Sequence, residues 1–212
     1  MWINSRCRSV ICSSGVLLTS EPDPAARERR TVRVVLLAAA LFATAVPASA
    51  KIFMTQAEAL SLAFGAGATP ERKTAYLTEG QAARILASAG TGPSSRVVVY
   101  FTGGPDPNRP ITAWFDTHIV RTLPEAVMIV IGADGKILRV DVLSFDEPED
   151  YLPKKRWFDQ FQGRPLDDDL STKGAIRAVT GATLSSRSIA GAVRRALATH
   201  SVVTTTQGAG EP

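Results

Sequence analysis

The tight-turn signal Ala133-Asp134-Gly135-Lys136 constrains the fold of this chain more than any other feature. It separates two runs of β-formers, Ala126–Ile131 and Lys136–Phe145. Strands joined by so short a link pair antiparallel, because a parallel pair needs a crossover of a dozen residues or more. The first run is almost wholly apolar and reads as a central strand. The second is apolar at Ile137, Val140, Val142 and, out of step, Leu143. Upstream, Arg96–Phe101 is rich in β-formers and Ile111–Val120 alternates. Between them, Gly103–Pro110 must be a loop, since proline cannot donate within a sheet.

Helical patterns flank these strands. Thr55 and Glu58 form a capping-box pattern ahead of a helix with Ala59, Leu60, Leu62, Ala63 and Phe64 on its apolar face. Thr78 and Gln81 form a second, ahead of Ala82, Ile85, Leu86 and Ala89. Asp146–Asp150 is an acidic loop, and Trp157, Phe158 and Phe161 are spaced for one face of a short helix. Asp167–Asp169 is a charge run that reads as a solvated loop. Ala175–Val179 reads as a short strand. A terminal helix follows with Ile189, Val193, Ala196 and Leu197 as its stripe and Arg187, Arg194 and Arg195 outside it. The expected fold class is α+β: a single domain over residues 51–203, mostly antiparallel sheet with flanking helices and a C-terminal helix. Residues 204–212 are Thr-, Gly- and Gln-rich and read as a disordered tail.

The first fifty residues carry targeting information. Arg27, Arg29, Arg30 and Arg33 form a basic region, and Val34–Val46 is apolar and uncharged. Pro47-Ala48-Ser49-Ala50 then offers the small residues of a cleavage site. This is a secretory signal-peptide pattern over 1–50, cut after about Ala50. Residues 1–25 are longer and more mixed than such a leader needs. An uncleaved anchor in the inner membrane, facing the periplasm, is the alternative. The expected location of the mature protein is therefore periplasmic. Of the 24 basic and 20 acidic residues, 6 and 3 precede residue 51, which leaves 18 and 17. The basic balance of the whole chain thus belongs largely to the leader, and no nucleic-acid surface is expected. Cys7 and Cys12 also precede the cut, so the mature chain has no disulfide and no thiolate site. Two isolated histidines, His118 and His200, do not make a zinc site. Acids and bases read as scattered, without a paired constellation, so any redox role needs an organic cofactor.

The segment from Arg177 to Ser186 is where chemistry can reside. Thr180, Gly181, Ala182, Thr183, Leu184, Ser185 and Ser186 form a Gly-containing turn with four hydroxyls, leading into the terminal helix. A helix N-terminus offers unpaired amides and the positive end of the macrodipole to a phosphate. Gly181 and Ala182 let such a group approach the backbone. Thr180, Ser185 and Ser186 can donate to its oxygens. The alternative is structural: Ser185 or Ser186 caps the helix and Thr180 bonds the turn.

These residues closely resemble the flavinylation motif of FMN-binding domains. Such domains occur within the sodium-pumping NADH:quinone reductase, within the Rnf complex and in stand-alone exported flavoproteins. The family pattern is Asp-x-x-(Ser/Thr)-Gly-Ala-Thr, and its leading Asp falls on Arg177 here. The resemblance extends through Glu125–Phe145, the Glu147-Pro148 loop, the Trp157–Phe161 segment and the helix after Thr183. That is about half of the mature chain; the helices near 55–65 and 79–90 lie outside it. It implies FMN held by a phosphodiester on Thr183, placed there from FAD by an exported flavin transferase that uses magnesium. It further implies a flavin-facing role for Glu147 in the Glu147-Pro148 loop; of Trp114, Phe115, Trp157, Phe158 and Phe161, aromatic residues able to flank an isoalloxazine ring, most read as core.

The implied function is a periplasmic electron-transfer flavoprotein, a carrier without its own substrate, working between membrane or periplasmic redox proteins. The alternatives are a module that binds flavin or another phosphorylated ligand reversibly, and an accessory subunit of a membrane redox complex.

Overall fold

The computed structural model describes residues 51–208; the expectations for the leader and for residues 209–212 lie outside them. Six strands form one sheet in the order β1-β6-β5-β4-β3-β2, every neighbouring pair antiparallel. They are β1 (Lys51–Ile52), β2 (Glu71–Tyr76), β3 (Val97–Gly103), β4 (Ile111–Val120), β5 (Leu123–Ile131) and β6 (Ile137–Phe145). Four α-helices accompany them: α1 (Gln56–Phe64), α2 (Glu79–Ala89), α3 (Lys155–Phe158) and α4 (Thr183–Gly208). This is the single α+β domain read from the sequence.

Both faces of the sheet are covered, which explains the nearly unbroken apolar run of β5. Val127, Ile129 and Ile131 face α2, α4 and the Trp157–Phe161 segment, with Tyr100, Trp114 and Val140 beside them. Met128 and Val130 face α1 through Ala59 and Phe64, together with Phe101 and Leu143. Residues adjacent in a strand point to opposite faces, so β5 must be apolar at every step. The out-of-step residues of β6 follow from two register shifts, one between Ala126 and Val127 and one between Val130 and Ile131. Each leaves an extra residue in β6, the second of them Leu138, and this puts Ile137 and Val140 on one face three positions apart.

Both capping boxes form. Thr55 Oγ1 accepts from the Glu58 amide while Glu58 accepts from the Thr55 amide, and Thr78 and Gln81 do the same. Removing either threonine hydroxyl costs about 1 kcal/mol. Leu62 and Leu86, read as facing the core, instead lie 46% and 52% exposed. Their helices each touch the sheet along a narrower stripe, through Ala59 and Phe64 and through Ile85 and Ala89.

Two further expectations are corrected, and two features are added. The short strand at 175–179 is irregular chain, for a reason given below. Residues 204–208 are helical rather than disordered. The Thr204, Thr205 and Thr206 hydroxyls donate to the carbonyls of His200, Ser201 and Val202, one turn back. Thr206 Oγ1 also accepts from Gln81 of α2. Arg194 and Arg195, outside the apolar stripe, bond to neighbouring elements: Arg194 donates to the carbonyls of Ser88 and Ala89 at the end of α2, where unpaired carbonyls need partners. Arg195 enters the buried cluster described next. Finally, β2 had no counterpart in the sequence reading.

Candidate functional site

The turn at 180–186 is built by short-range bonds around one carbonyl. Val179 O accepts from the Ala182 amide at 3.0 Å and from Thr183 Oγ1 at 3.3 Å. Ser186 Oγ accepts from the Val179 amide at 3.2 Å and donates to Ala182 O at 2.8 Å. Ser186 is fully buried, and its hydroxyl is engaged on both sides. Gly181 sits at φ 87°, with open space where a side chain would point. A left-handed residue there folds the turn back, and glycine takes that conformation without strain. Ala182 and Ser185 are buried, whereas Thr180, Thr183 and Leu184 are exposed.

Thr183 is the first residue of α4 rather than a residue ahead of it. The first intrahelical bond runs from Ser186 N to Ala182 O, so the amides of Thr183, Leu184 and Ser185 precede the ladder. An exposed hydroxyl thus stands at the positive end of a 26-residue helix. Its own hydrogen bond to Val179 O is long, and an ester at that oxygen would simply replace it.

The chain entering the turn explains the false strand. Arg177 has no regular secondary structure, and no strand pairs with it. Its amide donates to Gln160 Oε1 at 2.9 Å, and its carbonyl accepts from Trp157 Nε1 at 2.5 Å. Side chains satisfy the groups that a neighbouring strand would have taken. The Arg177 side chain, at the position of the family's Asp, is exposed.

Glu147 goes elsewhere. Its Oε1 accepts from the amide and the hydroxyl of Thr122, both at 3.2 Å, and so fastens the β4–β5 hairpin. Arg121 of that hairpin, at φ 54°, lies over the Tyr151 ring at 4.3 Å. The turn containing Tyr151 (Glu149–Tyr151) in turn touches α4. Trp114, Trp157 and Phe161 are core residues; Phe115 and Phe158 are half-buried.

A second polar centre lies under α4, against the expectation of scattered acids and bases. The Arg195 guanidinium donates to both oxygens of Asp116, at 2.8 and 2.6 Å. Asp116 Oδ1 lies 3.0 Å from His118 Nδ1, and His118 Nε2 lies 3.1 Å from Glu125 Oε2. Glu125 is fully buried, and its other oxygen has no partner among the described residues. Burial alone would raise the Asp116 pKa, but hydrogen bonds from His118 and Arg195, then their charges, bring it down to about 2. Burial alone would lower His118, but its bonds to Asp116 and Glu125, then their charges, raise it to about 9. Burial pushes Glu125 up, against the bond and charge of His118. The imidazolium form, with a donor on each nitrogen, fits the two carboxylates. These residues spend their ligand atoms on one another, and no metal-holding group of His, Cys, Asp or Glu occurs among the described residues. Hairpin register was the missing signal. A two-residue turn at Arg121-Thr122 sets Glu125 opposite His118. His200 is separate, edge-on to Trp114 at 6.1 Å, and burial lowers its pKa.

The model of one protein family, the FMN-binding domain, matches residues 124–198. Residues 124–198 are similar to the domains of that family. The match starts in β5, includes the Trp157–Phe161 segment and the turn, and ends within α4. No curated protein and no solved structure matches the chain. The site fits the phosphate end of FMN: an open approach at Gly181, three amides ahead of the helical ladder and an outward hydroxyl. Thr183, Thr180, Gly181 and Leu184 are brought together at the surface, Ala182, Ser185 and Ser186 just beneath them, and Glu147 is held by Thr122 instead.

Proposed function

We propose that this FMN-binding domain holds its flavin through a phosphodiester on Thr183 and relays electrons between redox partners in the periplasm. The observation that carries the reading is the exposed Thr183 hydroxyl at the first position of α4, inside the matched region. Loading would form a bond from Thr183 Oγ1 to the FMN phosphorus of FAD. It would break the pyrophosphate link, release AMP and pass the hydroxyl proton to solvent or to a base of a flavin transferase.

The flavin supplies one- and two-electron chemistry. The protein's part is to bind and orient. The free amides of the first α4 turn face the remaining negative charge, and the helix dipole favours it. Buried Ala182 and Ser186 keep the turn in one conformation. Export follows from the leader pattern, and a membrane or periplasmic reductase or cytochrome is the proposed partner class. Among the described residues, no helix is long and apolar enough to cross a membrane.

Intact mass of the protein, co-expressed with a flavin transferase, tests this reading. The wild type should gain FMN less one water and fluoresce after denaturation, and Thr183→Ala should do neither. A fluorescent fold that returns to the bare polypeptide mass on denaturation would mean reversible binding and would overturn the covalent reading.

A further inference from the structure

We infer that Trp157 and Gln160 are positioning residues that present Thr183 for loading, an inference that rests on the reading of Thr183 as the flavin acceptor. Residues 177–179 lead directly into the turn yet lie in no sheet. What fixes them is a two-pronged brace. Trp157 and Gln160 are three residues apart on one short helical segment, so their side chains project to the same side. One takes the carbonyl of Arg177 and the other its amide.

The brace is itself anchored. Gln160 Nε2 donates to Trp157 O at 3.0 Å, locking the two prongs together. Arg164 Nε donates to Gln160 O at 2.8 Å. The same stretch bonds to the first residue of β6, from Ile137 N to Arg164 O and from Gly163 N to Ile137 O. The Trp157 ring is buried and meets Phe158 and Phe161 edge-on, both at 5.2 Å. A continuous path of bonds therefore runs from the central sheet through Gln160 and Trp157 to Arg177. Two residues later, Val179 O holds both the Ala182 amide and the Thr183 hydroxyl. Without the brace, the two groups of Arg177 lose their partners and the turn loses its fixed end.

An unactivated threonine is a weak nucleophile, and its attack on phosphorus depends on placement. A misplacement of about 1 Å can cost on the order of a hundredfold in rate. The brace grips only the backbone of Arg177, which also accounts for an arginine standing where the family pattern has Asp.

The test uses the flavin-free full chain with a purified flavin transferase, FAD and Mg²⁺, followed by intact mass. Trp157→Phe keeps an aromatic ring and removes the indole N–H; Gln160→Met keeps the bulk and removes the amide; Gln160→Glu keeps an acceptor for Arg177 N and removes the donor to Trp157 O. Expected are a fall of about tenfold or more in the saturated loading rate for the first two, no change in the acceptor concentration at half-saturation, and a smaller fall for Gln160→Glu, which keeps one of the two Gln160 bonds. Hydrogen exchange in the flavin-free proteins should show faster exchange at Arg177 and Val179 in Trp157→Phe and Gln160→Met, with β5 unchanged. If the wild type loads and these variants load equally fast, the positioning role is wrong. If the wild type never gains the flavin mass, the acceptor reading fails with it, whatever the exchange data say of the brace.

Discussion

Helix α4 carries two polar centres that differ in almost every respect. Thr183 opens the helix as an exposed residue, and its neighbours in the turn are uncharged. Arg195, twelve residues on and so roughly 18 Å further along the axis, closes a buried chain of four ionisable groups. The first centre leaves donors free and can accept a ligand. The second uses almost every polar atom internally and ties α4 to β4 and β5. Burial and charge alone do not mark the functional site here. The most strongly perturbed ionisable groups sit in a cluster with little capacity left for anything but holding the fold.

The sharpest way to break this contrast is to cut the chain of charges. His118→Ala leaves Asp116 with Arg195 alone and takes from buried Glu125 the partner of its Oε2. It should destabilise the protein by about 3–5 kcal/mol, read by urea denaturation. A loss below 1 kcal/mol would mean that the quartet is not structural.

The second probe is pH. Asp116 is lowered to about 2, so its contribution is present above its ordinary 3.8 and disappears as pH falls through 2. His118 is raised to about 9, so its contribution is complete below its ordinary 6.5 and lost as pH rises through 9. Glu125, also raised, loses its contribution on the alkaline side of its ordinary 4.5. Unfolding free energy should therefore decline from pH 6.5 to 9, and the decline should flatten in His118→Gln. An equal slope in the variant would assign the titration to another group.

The smallest effect belongs to the turn. Gly181→Ala must hold a Cβ at φ 87° in open space, which costs about 1–2 kcal/mol without a clash. Melting temperature should fall by a few degrees while the His118 NMR titration stays in place. A shift in that titration would show the two centres to be coupled.

Much of this was legible in the chain. The Ala133–Lys136 turn fixed the antiparallel core, both capping boxes marked true helix starts, and the Thr-Gly-Ala-Thr turn pointed to the matched family. The misses share a cause. β2 is an edge strand with the sequence Glu-Arg-Lys-Thr-Ala-Tyr, whose charges suit an edge and hide the strand pattern. The chain at Arg177 reads as a strand in sequence, but side chains rather than a neighbouring strand take its hydrogen bonds. Arg195, Asp116, His118 and Glu125 come from three elements, and only strand register and the docking of α4 bring them together. Local pattern reports local structure, whereas these features depend on what lies across the fold.

The outward attitude of Thr183 has one more consequence. Three clefts formed by the described residues are lined by other parts of the chain. A prosthetic group fastened there would hang from a leash at the exposed rim of the fold. Donor and acceptor would then have to visit the same doorstep, one departing before the next arrives, and traffic would alternate rather than pass straight through.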